Sequence, residues 1–572
     1  LSGPVGVFYR QFSLTLAVSI IISGINAVSL TPVLCAILLK PHNNHLAQGV
    51  LGKFFAGFNK AFDGLTVKFS RFLRKWAPKK SVTILATVLL IVLTVGMNKL
   101  ISSGFIPMED QGMIYVSVTT PQGATVSRTE DILTQITEIS KKNPAVDNIT
   151  TLAGFSIVTE IAGANYGMAM INLKPWGERS VSVNDVIAEL NQNVRNITDA
   201  KIEIFAPPTV PGFGNTSGFE LRLNNRSGAS ISEISEVVQQ FVDSLNSSPV
   251  IQGAFTSFDA SYPQYLIHVD YDLAAKKGVY VENAMRTLQT FLGSYYATNF
   301  IRFKQMYKVM VQADPQYRKN VNDILRLYVK NEHGEMVPFS TFCKIEPVLG
   351  PDVLTRYNMY TSAMINGEAA KGYSSGDAIA EVERISRNTL PRGYSIEWSG
   401  MTREEILSGN QTLFIYAIVL IFVYLLLAAQ YESFLLPFPV LLSLPPGMLG
   451  ALMFLKLTGL DYNIYAQVAL VMLIGLLSKN AILVVEFALQ RQKEGVAALQ
   501  AAIEGTKSRL RPILMTSFAF VAGLIPLCIA TGAGAMGNRS IGIAAAGGMI
   551  IGTVFGLLVI PGLYYLFASP KK

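Results

Sequence analysis

Seven apolar runs divide this chain, at approximately 12–39, 81–98, 411–431, 434–455, 462–488, 512–532 and 540–567. Each approaches the roughly 20 residues, at about 1.5 Å apiece, that cross about 30 Å of hydrocarbon. Between the second and third lies one polar stretch, 102–410, too long for a loop and the right size for two or more domains. Charged residues make up only 15% of the 572, against about 25% in soluble chains. The net charge of +8 does not point to nucleic acid, because the basic excess sits in short segments flanking the apolar runs.

Those segments orient the chain. Residues 40–80 carry Lys40, Lys53, Lys60, Lys68, Arg71, Arg74, Lys75, Lys79 and Lys80 against the single acid Asp63, and 489–511 carry Arg491, Lys493, Lys507, Arg509 and Arg511 against Glu494 and Glu504. The tail ends in Lys571 and Lys572. Alternate threading puts all three on the inner side and leaves 102–410 outside. Within 40–80, Phe54, Phe55, Phe58, Phe62, Leu65, Phe69 and Phe72 recur at helical spacing among lysines, the pattern of an amphipathic helix on a membrane surface. The sequence opens on Leu1 with no signal peptide, so we read it as a fragment or a processed piece.

Cys35, Cys343 and Cys528 offer no disulfide framework, and His42, His45, His268 and His333 make no metal-ligand spacing. No nucleophile–base pair emerges, so nothing supports an enzyme.

The outer stretch reads as repeated β-α-β-β-α-β units. In the first, strand 113–120 leads to helix 129–141, strands 148–152 and 168–173, helix 183–197 and strand 201–205. The second starts with strand 219–223, helix 231–245 and strands 253–258 and 265–271, breaks for an insertion near 273–350, and resumes with strand 363–365, helix 376–387 and strand 394–398.

Four stretches carry a resemblance. Phe105-Ile-Pro-Met-Glu-Asp-Gln-Gly112 opens the first unit, Trp398-Ser-Gly-Met401 closes the second, Ile474-Gly-Leu-Leu-Ser-Lys-Asn-Ala-Ile-Leu483 lies in the fifth run, and Arg509-Leu-Arg-Pro-Ile-Leu-Met-Thr516 enters the sixth. In that order and topology they resemble the resistance–nodulation–division drug exporters of Gram-negative bacteria, in the hydrophobe/amphiphile branch of AcrB- and MexB-like pumps. The resemblance implies a polytopic α-helical membrane protein with a large α+β periplasmic region, and it makes the present helices seven of a family twelve, from the sixth to the last. It implies 1–39 as the sixth span, 40–80 as a cytoplasmic linker and 81–101 as a further span. It also implies porter subdomains at 102–217 and at 218–272 plus 351–402, a docking-domain insertion at 273–350, and five spans in 403–572 with a cytoplasmic loop at 489–511. It further implies a homotrimer in the inner membrane, a periplasmic adaptor protein, an outer-membrane channel, and exchange of inward protons for lipophilic cargo with no other cofactor. The family's paired aspartates lie on its fourth span, which this sequence does not include.

Lys479 sits about four residues past the centre of its run, roughly 6 Å from the midplane. A charge there is costly and ordinarily faces a bundle interior, although a lysine can also snorkel. By resemblance it pairs with the missing aspartates and changes partner when they protonate. Arg509, otherwise a plain positive-inside anchor, and Thr516, otherwise a hydroxyl bonded back to its own helix, join the proton relay by the same resemblance. Glu486, seven residues from Lys479 and near the inner interface, reads as a solvated or helix-end residue.

For cargo, the glycine-bounded segment 154–167 reads as irregular, and the family places its switch loop there, making Phe155, Ile157 and Tyr166 lining candidates. Met168 and Met170 alternate on one strand face, and Phe205 and Phe213 could line the entrance; Met and Phe suit loosely specific binding of apolar ligands. Core packing is the plain alternative for each. A competing function is export of a soft metal such as Cu(I) or Ag(I) on the outer methionines (Met108, Met113, Met306, Met310, Met336, Met359, Met364 and Met401 among them), though no three obviously converge.

Overall fold

In this computed structural model the described residues are 3–38 and 50–568. Lys40, His42, His45, Lys571 and Lys572 lie outside them. Among the described residues seven helices are long and apolar enough to cross a membrane: Gly3–Leu38, Lys80–Leu100, Gly400–Tyr431, Pro437–Leu457, Ile464–Lys493, Ala498–Cys528 and Ala535–Ala568. We number them as spans one to seven. Span one exposes Ile20, Ile21, Ile25 and Val28, side chains that sit without penalty in hydrocarbon and at a cost in water.

Several helices outrun their apolar runs. Span three begins at Gly400, inside the stretch assigned to the second porter subdomain. The loop expected at 489–511 is mostly helix, because spans five and six continue to Lys493 and start at Ala498. Hydropathy marks only the part of a helix that lies in lipid, so polar extensions escape it. Helix Val50–Trp76 matches the amphipathic pattern. Its Phe62 and Phe69 pack against a cluster of Leu427, Val484, Leu510 and Tyr564 at the ends of the spans, while Phe55, Phe58 and Phe72 stay exposed.

The β-rich region contains two sheets of one topology. In the first, β1 (Met113–Thr119), β2 (Val146–Ser156), β3 (Ile161–Leu173) and β4 (Lys201–Phe205) lie in the order β2-β3-β1-β4, all antiparallel. Helices Val126–Lys141 and Val183–Asn193 bury Ile132, Leu133, Ile136, Val186 and Leu190 against Ile114, Val116, Val118, Ala169 and Ile171 of one sheet face. Segment 154–167, expected to be irregular, is instead largely a hairpin with a register shift between Ala153 and Phe155. Its Gly167 serves packing rather than looseness, since a Cβ there would lie 2.8 Å from Thr129 Cγ2.

In the second sheet, β5 (Phe219–Asn225) is flanked by strands Tyr360–Ala369 and Tyr394–Trp398, with β6 (Ile251–Thr256) outside Tyr360–Ala369 and a short extra strand at Thr355–Tyr357. The order repeats that of the first sheet, but the third strand comes after the insertion. Strand Tyr262–Val269, expected in this sheet, pairs instead with Cys343–Gly350 over eight residue pairs. The insertion therefore starts earlier than 273: a separate compact unit comprises 228–236 and 258–355. That unit has its own core of Leu288, Val329, Phe339, Phe342 and Cys343 and an exposed hairpin, Tyr295–Arg302 with Gln305–Val311.

The connector 102–112 ties the β-rich region to the spans. Tyr462 N and Ile464 N donate to Ser102 O and Phe105 O, and Gly376 N donates to Ser103 O. Glu109 accepts from the amides of Met536 (3.1 Å) and Gly537 (2.8 Å) at the start of span seven, a carboxylate placed where a helix N-terminus favours negative charge. Asp110 pairs with Arg179 and accepts from Val183 N. Burial raises the Asp110 carboxyl, but the Arg179 contact and the Val183 and Gly112 amides outweigh it and hold the group below its ordinary value.

Candidate functional site

Span five starts on Asn463, whose side chain caps Ala466 N at 3.1 Å and donates to Ser540 Oγ of span seven at 2.9 Å; such caps contribute about 1 kcal/mol. One side of the helix, with Leu473, Ile474, Leu477, Asn480, Ala481 and Val484, is buried, while Gly475, Lys479 and Glu486 form an exposed stripe. On the buried side Asn480 Nδ2 lies 3.4 Å from Ser517 Oγ of span six, and Ser517 shares a 2.9 Å hydrogen bond with Thr553 of span seven. Three spans are thus joined by one polar seam.

Lys479 and Thr516 each precede a member of that seam by one residue on antiparallel helices, which puts them about 3 Å apart in depth, and both are exposed. Thr516 Oγ1 donates to Ile513 O at 3.0 Å, back onto its own helix. Arg509 stands two turns away, about 10 Å along the axis, with its guanidinium 5.3 Å from the centre of the Phe487 ring. A cation over an aromatic face gains about 0.5–2 kcal/mol.

The cargo candidates divide between two places. Directly paired residues share a sheet face; Tyr115 pairs with Met170 and with Phe205, and Ser117 with Met168. Met168, Met170 and Phe205 therefore share the face turned from the helices, together with Tyr115. Phe205 is buried there, edge-on to Tyr115 at 6.3 Å and stacked on Phe255 of β6 at 6.3 Å. Phe155, Ile157 and Tyr166 are half-buried on the hairpin, whose end is bonded to the Phe213 segment through Asn215 Nδ2 to Val158 O at 3.3 Å. Glu203, two residues from Phe205, belongs to the same face and lies 2.9 Å from Lys201 Nζ. Burial pushes its carboxyl up and Lys201 offsets part of that. Period-two alternation through Phe205 could have found Glu203, since it needs no knowledge of the fold.

Phe213 lines a cavity of about 320 Å³ where the connector, the second sheet, helix Val183–Asn193 and the starts of spans three, five and seven meet. Its walls include Phe105, Phe219, Met401 and Met536, with the carboxylates of Glu368, Glu405 and Asp461. Ser217 Oγ donates to Glu368, and Ser375 Oγ donates to Glu405 at 2.7 Å. Burial raises the Asp461 carboxyl, the Asp377 charge adds to that, and Lys456 opposes it.

The sequence profile of the AcrB/AcrD/AcrF family matches residues 1–568. The chain is 39% identical over 571 residues to the toluene efflux pump membrane transporter TtgB of Pseudomonas putida, covering 99% of this chain and 54% of TtgB. It is 36% identical over 566 residues to the multidrug export protein AcrF of Escherichia coli, covering 98% and 54%. Against the multidrug resistance protein MdtF of Escherichia coli it is 36% identical over 588 residues, covering 100% and 56%. The chain spans about half the length of these relatives.

Proposed function

The chain belongs to the AcrB/AcrD/AcrF family, and on that premise we propose that it forms part of a proton-driven antiporter of the inner membrane exporting lipophilic and amphiphilic compounds. The β-rich region is periplasmic on this reading. The protein works as a homotrimer with a periplasmic adaptor and an outer-membrane channel, and it needs protons but no bound cofactor. The observation that carries the reading is Lys479, an ammonium exposed midway along a 30-residue helix of strongly apolar composition. A charge kept at a cost of about 2.5–3.5 kcal/mol marks a working position. Lys479 answers a change of charge on facing carboxylates, with Thr516 near its level and Arg509 towards the basic end. Phe155, Ile157, Tyr166, Met168, Met170, Phe205 and Phe213 meet the cargo. The relatives' names, toluene and multidrug efflux, favour organic cargo over a heavy metal.

In cells producing the full-length protein, a lipophilic dye is expected to be expelled until a protonophore is added, with ATP held constant. Expulsion that survives the protonophore refutes proton coupling.

Orientation is testable with an impermeant thiol reagent. Cys343 is buried and makes a poor reporter, and position 45 lies outside the described residues. Ile301 is 79% exposed, so Ile301→Cys is expected to label from outside, while Gln500→Cys stays protected. Labelling at 500 in intact cells reverses the orientation.

A further inference from the structure

We infer that the cavity of about 320 Å³ beside the connector takes the head of a lipophilic cation, with Glu368 and Asp461 as its counter-charges. The inference rests on the reading of this chain as a handler of lipophilic cargo, and it names a charge class for one site. The volume falls at the lower end of the range for small-molecule pockets, about 300–1,000 Å³. The walls supply what an apolar body needs: the rings of Phe105, Phe213 and Phe219 and the thioethers of Met401 and Met536. Methionine adapts to varied shapes, and aromatic faces attract cations as well as hydrocarbon.

The charge balance of the lining is one-sided. Glu368, Glu405 and Asp461 contribute carboxylates, and no lysine or arginine is among the lining residues. Lys456 acts on Asp461 from outside the lining, opposed by Asp377. The hydroxyls of Ser217 and Ser375 bond to Glu368 and Glu405, but a neutral hydroxyl does not cancel a carboxylate's charge. Each carboxylate has about four acceptor positions, so a single hydroxyl leaves capacity for a ligand. Partial burial strengthens attraction for a cation and makes an anionic head costly. A quaternary or phosphonium head, weakly hydrated and carried on an apolar body, loses least on entering such a place.

The test is equilibrium binding to the purified full-length protein in nanodiscs of zwitterionic phosphatidylcholine, with tetraphenylphosphonium as the cationic probe and N-phenylnaphthylamine as the neutral one. The double variant Glu368→Gln with Asp461→Asn is expected to bind tetraphenylphosphonium about tenfold more weakly or worse, as when close charge partners in a desolvated site are removed. Its affinity for N-phenylnaphthylamine should stay within about twofold of the wild type, since the apolar walls are unchanged. The charge-keeping pair Glu368→Asp with Asp461→Glu should retain tetraphenylphosphonium binding. Unchanged tetraphenylphosphonium affinity in the neutralised variant overturns the inference, as does an equal loss of both probes. Binding is read without transport, so a protein that binds as expected but exports nothing removes the export reading and leaves this one standing.

Discussion

Full-length protein carrying Lys479→Met is expected to lose all export of lipophilic compounds while its amount in the membrane and its assembly stay at wild-type levels. One proton moving inward down 100 mV releases about 2.3 kcal/mol. Using that energy requires a group whose charge changes during the cycle and a partner that responds. In the proposed relay Lys479 is the responder: a fixed cation that facing carboxylates would hold and would release when they neutralise. Stability alone predicts the opposite sign for the substitution. Replacing an ammonium in hydrocarbon by a thioether removes a cost of about 2.5–3.5 kcal/mol, so a purely structural Lys479 would give a protein at least as abundant and as active. Lys479→Arg should fail too, because a planar fork cannot reproduce the contacts of a compact ammonium. The measurement is drug susceptibility together with quantitative immunoblotting of membranes. Full resistance in the Lys479→Met protein ends the relay assignment.

Much of the architecture was legible because it is written in local periodicity. The seven apolar runs, the alternation around Met113–Thr119 and Lys201–Phe205, and the aromatic stripe of Val50–Trp76 each need only a short window of sequence. Pairing across the insertion is not local. Tyr262–Val269 and Tyr360–Ala369 both read as strands, and which one completes the second sheet depends on contacts with β5 and β6 that no window contains. Glycine misled at 154–167 for a related reason. At Gly167 the small residue admits the helix bearing Thr129 and Leu133, yet in sequence it looks like a loop marker. Candidate site residues split in the same way. Lys479 announces itself by charge within an apolar run. Glu368 and Asp461 sit in polar stretches, where an acid is unremarkable until folding brings it beside Phe105 and Met536.

The membrane bundle itself should fail on a single methyl-bearing substitution, Gly450→Val. Spans have no hydrophobic drive to associate within lipid, so close packing of small residues holds them together. Spans four and seven show such packing: Gly447 and Gly450 face Gly547, Gly548 and Gly552 across the contact. A Cβ on Gly450 would lie 2.5 Å from the carbonyl oxygen of Gly547 and 2.5 Å from Ile551 Cβ, and one on Gly548 would lie 2.9 Å from the carbonyl oxygen of Gly447. Side chains can rotate away from such a clash, but a carbonyl in the middle of a helix moves only if the helix moves. Separation of these spans would also disturb Leu473 and Leu477 of span five, which fill the space beside Gly548 and Gly447, and so the helix that carries Lys479. The cost should exceed the about 1–3 kcal/mol usual for overpacking, because backbone lies on the far side of the contact. Gly96→Val is the matched control: it places the same β-branched residue in span two, where no atom lies within 4 Å of the added Cβ. In fluorescence-detected size exclusion after graded heating, the Gly450→Val protein is expected to aggregate or vanish at temperatures that leave wild type and Gly96→Val intact. Equal stability of the two variants would show that spans four and seven separate without cost, and the packing derived from these glycines would be wrong.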